Sequence, residues 1–144
     1  MLLIVYKRSQ CLYVTLLHSY NVRVIKLGVV EEALEHASRE VKSPAPMAKR
    51  NACDKAFLAV IKAFDEYLIA RGYPEPERHG DRFSYVRDLE RKSPKLAKLR
   101  LSDKLGARFS LSHEACFYDG KIELAEEEIE KSKELVKIIQ GLPR

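Results

Sequence analysis

The apolar stripe between residues 45 and 70 constrains this chain most. Phe57, Val60, Ile61, Phe64 and Leu68 fall at helical spacing, with Ala52, Ala56, Ala59 and Ala63 among them. That period lines bulky groups along one face of a long helix, and the small alanines let neighbouring helices approach closely. A helix so apolar on one face is stabilised mainly by burying that face against other elements, so partner helices are expected. The flanking sequence supplies them. Val30, Ala33, Leu34, Ala37 and Val41 mark a first helix, ended by Lys42-Ser43-Pro44-Ala45-Pro46, where Ser43 is placed to cap the next. Gly72, Pro74 and Pro76 punctuate a loop, and His79-Gly80-Asp81 opens a third helix with Asp81 as the expected N-cap. Its inward residues are Phe83, Val86 and Leu89, with Tyr85 beside them. Ser93-Pro94 reads as a stop and a fresh start. A fourth helix then carries Leu96, Leu99, Leu101, Leu105, Phe109, Leu111 and Phe117 to a stop near Asp119-Gly120. Ile122, Ala125, Ile129, Leu135, Val136 and Ile139 mark a fifth. The expected fold is all-α, an antiparallel up-and-down bundle of four to five helices over residues 29–144.

Residues 1–28 follow a different pattern. Met1–Tyr6, Cys11–Leu17 and Asn21–Leu27 are β-prone, with Lys7-Arg8-Ser9-Gln10 a polar turn between the first two. This segment reads as an N-terminal extension: a hairpin, an irregular arm, or an over-long gene reading whose true start is Val29 or Val30. No charge precedes the apolar run, which argues against a signal peptide. Lys7 and Arg8 interrupt it well short of about twenty residues, which argues against a membrane span.

The chain of 144 residues is long enough for one domain with its own core. Cys11, Cys53 and Cys116 are isolated, with no C-x-x-C pair. That pattern argues against a zinc site or a disulfide framework and fits a reducing, cytoplasmic setting. No residues have metal-ligand spacing, and neither metal nor cofactor is expected. The net charge of +5 is unevenly spread. Between Arg78 and Arg108 there are ten Lys/Arg against four Asp/Glu, and between Asp119 and Glu134 seven acidic residues against three basic. The basic middle suits a nucleic-acid or nucleotide ligand, or else pairs with the acidic end of the same or a second chain.

Chemistry concentrates in Arg108-Phe109-Ser110-Leu111-Ser112-His113. Arginine offers a permanently charged fork suited to phosphate, and histidine exchanges a proton near neutrality. On an ideal α-helix five residues place the two about 140° apart, so a shared site needs a local bulge or a second copy of the helix across a two-fold axis. Phe109 and Phe117 flank His113 as packing or as base-stacking faces.

Arg-x4-His on the penultimate helix of a small bundle resembles the motif of the HEPN superfamily. The run Ala107–His113 leading into Phe117-Tyr118-Asp119-Gly120 is similar to the archaeal PaREP branch of that superfamily. So are Arg50-Asn51-Ala52-Cys53-Asp54-Lys55-Ala56 and His79-x2-Arg82-Phe83 with Arg87-Asp88-Leu89. The resemblance covers roughly residues 30 to 140. It implies a helical bundle that often forms a homodimer and often works in defence or toxin–antitoxin settings. Active members are metal-independent endoribonucleases that leave a 2′,3′-cyclic phosphate. On that template His113 is the general acid/base and Arg108 stabilises phosphate charge. Active members usually carry a polar residue after the arginine; in this chain that position is Phe109.

Further phosphate-binding candidates are Tyr118, Arg82 and Arg78, with His79 between the two arginines on a solvated loop. His36 is expected to be exposed opposite the apolar stripe. The leading expectation is a nucleic-acid-binding protein that cleaves RNA. The alternative is a non-catalytic nucleotide-binding or protein-interaction module, such as the partner of a nucleotidyltransferase-type antitoxin.

Overall fold

The computed structural model describes residues 28–144 in full and, of residues 1–27, the backbone of three strands. Strands β1 (Leu3–Arg8), β2 (Cys11–His18) and β3 (Asn21–Lys26) form an antiparallel meander in that order, with Val5 opposite Val14 and Thr15 opposite Val24. The β-prone composition of this segment thus ends in three strands instead of one hairpin. The side chains of residues 1–27 lie outside the described residues, and with them the expectation that the extension stands apart from the bundle core.

From residue 28 on, the described chain is all-α. Its helices are α1 (Val29–Glu40), α2 (Pro46–Ala70), α3 (His79–Lys92), a single turn α4 (Pro94–Ala97), α5 (Leu101–Arg108) and α6 (Ala125–Gln140). Between α5 and α6 lie a π-helix, Phe109–Tyr118, and a 3₁₀ turn, Ile122–Leu124. Helix α2 is the hub, with α1, α6 and the π-helix packed on it. The stripe read from the sequence is the core: Phe57, Val60, Phe64 and Leu68 are buried, and Ala52, Ala56, Ala59 and Ala63 lie at the contacts with neighbours. Val86, Leu89, Leu101, Leu105, Leu135, Val136 and Ile139 complete it.

Four expectations about the helices need correction. Ser43 does not cap α2: the N-cap is Ala45, and the Ser43 hydroxyl only accepts the Ala45 N–H at 3.2 Å. Asp81 is not the N-cap of α3. It stands in the first turn, where its carboxylate accepts the backbone N–H of Arg78 at 3.0 Å and of Glu77 at 3.2 Å. The fourth helix is not continuous. Arg100 turns left-handed, φ 51°, separating α4 from α5, and Glu90 caps the restart by accepting the N–H and hydroxyl of Ser102 at 3.0 and 2.6 Å. No glycine or proline marks that break, which is why the apolar spacing ran straight across it. Finally, Leu111 is exposed, because the wider π-turn carries it off the inward face.

The cysteine reading also changes. Cys53 of α2 and Cys116 of the π-helix are joined by a disulfide across 63 residues of sequence. Isolation along the chain did not prevent two buried cysteines on packed helices from meeting.

Candidate functional site

The π-helix determines where Arg108 and His113 go. Its hydrogen bonds reach one residue further back than those of an α-helix, as in Asp119 N–H to the Glu114 carbonyl at 2.9 Å. Such wide turns often occur at functional sites. Because each residue advances less around the axis, the residue four after Arg108 falls nearly below it. That residue is Ser112, and both turn towards α6. The Arg108 Nε lies 3.2 Å from Glu128 Oε2, and Ser112 donates its hydroxyl to the same oxygen at 2.8 Å. All three side chains are buried. The Arg108 approach is an ion pair without an aligned N–H···O bond, and the Ser132 hydroxyl one turn on from Glu128 is buried without a partner. On its outer side Arg108 lines a groove of about 240 Å³ between α5 and α6, together with Lys104, Lys131, Glu134, Leu135 and Ile138.

His113, one residue further round, faces α2 and α3. Its Nδ1 lies 3.0 Å from Asp54 Oδ1, and its side chain keeps 19% exposure. The ring stacks on Phe57 with centroids 4.9 Å apart, and on Phe117 at 6.1 Å. Tyr118, 62% exposed, meets it edge-on at 5.0 Å, so these two predicted residues do come together. His79 is no loop residue. It opens α3 and lies half-buried, 5.8 Å from His113 and in contact with Phe57 and Phe109. Burial first, then the charges of Arg82 and His113, push the His79 imidazole below its ordinary value, with Asp65 pulling the other way.

The structure gives Arg108 and His113 separate partners, so even with the π-turn they form no joint site within one chain. Arg82 is buried with its fork filled: Nε and Nη2 donate to Asp65 at 2.5 and 2.9 Å. Arg78 is exposed at the start of α3 and has no ion-pair partner among the described residues. His36 is half-buried between Glu32 and Arg39, not freely exposed.

Asp54 was not singled out from the sequence as the partner of His113. The signal was present in the segment Arg50–Ala56. Arg50 donates to the Phe117 and Tyr118 carbonyls at 2.6 and 2.9 Å, Cys53 bonds Cys116, and Asp54 holds His113. All three ties run from one stretch of α2 to the π-helix.

No protein-family model, curated protein or solved structure matches this chain. Among the described residues no group of three or more His, Cys, Asp and Glu is placed to hold a metal ion, and no helix is long and apolar enough to cross a membrane.

Proposed function

We propose that this chain is a HEPN-type nucleic-acid-binding protein that cleaves RNA at a centre built on His113. The observation that carries the reading is the Asp54–His113 pair in a partly open aromatic pocket. A carboxylate on Nδ1 sets the tautomer and leaves Nε2 free for proton transfer, as in other Asp–His pairs. The exposed face of Tyr118 suits a stacked base. In this reading His113 exchanges a proton with the ribose 2′-hydroxyl or the leaving oxygen, and the product is a 2′,3′-cyclic phosphate. Arg108 serves mainly to hold the π-helix on α6 through Glu128. A homodimer belongs to the proposal, with the exposed Leu111 offered to a second copy; sedimentation would report it.

The test is cleavage of labelled RNA in EDTA. His113→Ala abolishes cleavage while RNA binding persists, and Asp54→Asn slows cleavage at least tenfold through the lost tautomer control. A wild-type protein inert towards RNAs of varied sequence and structure overturns the reading.

One observation favours a second, non-catalytic role as an anion-binding module. The α5–α6 groove carries Arg108, Lys104 and Lys131 on its walls. Under that role a nucleotide binds, Arg108→Met weakens it, and no RNA is cut.

A further inference from the structure

We infer that His79 is a second proton-transfer residue at the His113 centre, so that two imidazoles bracket one phosphoryl group. This inference rests on the RNA-cleavage reading above. Attack of a ribose 2′-oxygen on phosphorus needs a proton removed from that oxygen and a proton delivered to the leaving 5′-oxygen. One imidazole must do both jobs in turn. Two imidazoles in opposite protonation states do both in one step.

The geometry supplies such a pair. The rings of His79 and His113 lie 5.8 Å apart, inclined at 57°. No hydrogen bond joins them, yet the gap is small enough for both to contact one small anion through bonds of about 2.8 Å. Each ring is held in place by packing. His79 lies against Phe57 at 5.7 Å and Phe109 at 5.2 Å, and His113 against Phe57 and Phe117.

The surroundings of the two rings differ. His79 is faced by Arg82 of its own helix, by Asp65 of α2 and by His113 of the π-helix, and burial favours its neutral form. His113 has the Asp54 carboxylate 3.0 Å from Nδ1, which leaves Nε2 as its proton-transfer atom. His79 is therefore the base and His113 the acid. Gly80, next to His79, opens a groove of about 550 Å³ along α3 lined by Phe83, Ser84, Arg87 and Arg91. Arg87 has no ion-pair partner among the described residues, which leaves a cation on α3 in the groove that begins beside His79.

The step balances. His79 takes the proton of the 2′-hydroxyl as the O2′–P bond forms. The P–O5′ bond breaks, and His113 gives its proton to O5′. A 2′,3′-cyclic phosphate and a 5′-hydroxyl leave, and the two rings reset by exchange with water.

Two experiments on the full chain test this. The first is an NMR titration of the histidine rings with inorganic phosphate. His79 and His113 should shift together with one dissociation constant; movement of His113 alone, or of neither, overturns the bracket. The second is the pH dependence of kcat/KM on a dinucleotide substrate. The wild type should give a bell. His79→Asn should lose the acidic limb and at least a hundredfold in rate, and His113→Asn the alkaline limb. His79→Phe keeps the aromatic packing and should be folded yet equally slow, which separates chemistry from structure. Full activity with an unchanged profile in His79→Phe overturns this inference and leaves the cleavage reading standing. An inert wild type overturns both.

Discussion

Removing the guanidinium of Arg108 tests what that residue is for. Glu128 is 1% exposed and Arg108 6%, so the pair is buried among helices α5, α6 and the π-helix. In Arg108→Met the Glu128 carboxylate keeps only the Ser112 hydroxyl and no cation. Stranding one member of a buried ion pair costs about 3–5 kcal/mol. That is a large part of the roughly 5–15 kcal/mol that holds a domain folded, and it lowers the unfolding temperature by roughly 10–20 °C. The opposite truncation, Glu128→Gln, is milder. Arg108 borders the α5–α6 groove and can be hydrated from there, whereas Glu128 cannot. The double variant Arg108→Met/Glu128→Leu removes both charges and should recover at least half of the loss, because an apolar replacement of a buried pair is often close to neutral. Urea unfolding followed by far-UV circular dichroism measures all four proteins. An Arg108→Met variant within about 1 kcal/mol of wild type, or a double variant no more stable than Arg108→Met, would refute the reasoning. Arg108 would then be solvated and available as a substrate-binding cation.

Three further outcomes follow from other parts of the fold. Under denaturing, non-reducing conditions one of the three thiols should react with an alkylating agent, and reduction of the Cys53–Cys116 bridge should cost roughly 2–5 kcal/mol; three reactive thiols before reduction would dismiss the bridge. His79 has a depressed folded pKa, so the unfolded chain binds the proton first; stability is complete above about pH 6.5, falls as pH drops through the folded pKa, and loses this dependence in His79→Phe. A melting temperature that rises on acidification through that window would contradict the sign. Arg100→Gly should be neutral or stabilising by up to about 1 kcal/mol, since glycine relieves the left-handed backbone; a loss above 1 kcal/mol would show that the Arg100–Asp103 pair matters more.

Much of the helix order was legible. The stripe on α2, the prolines that open α2 and α4, and the glycine after the π-helix are local signals, and helix formation is a local event that apolar periodicity reports. The break at Arg100 was not legible, because an arginine in the left-handed region carries no sequence mark and is held by the remote Glu90–Ser102 cap. The Tyr118 contact with His113 joins residues five apart in the chain. The Asp54 contact spans 59 residues and depends on how α2 meets the π-helix.

The sequence by itself determined that residues 29–144 form a helical bundle, which helix is central, and that one histidine sits among aromatics near its end. Hydrophobic period, proline and glycine act within a few residues, so they can be read in one dimension. Only the tertiary structure decided the partners of the charged groups. Five residues of spacing set Arg108 and His113 about 140° apart on an ideal α-helix but do not say what each meets. The π-turn settles the matter by placing Arg108 with Ser112 on Glu128, and His113 between Asp54 and His79. Arg82 shows the same rule, read as a phosphate ligand until Asp65 of another helix fills its fork. A charge buried in a bundle must be matched by an opposite charge or a hydrogen bond wherever the packing brings one within reach, and that match is a property of the assembled helices.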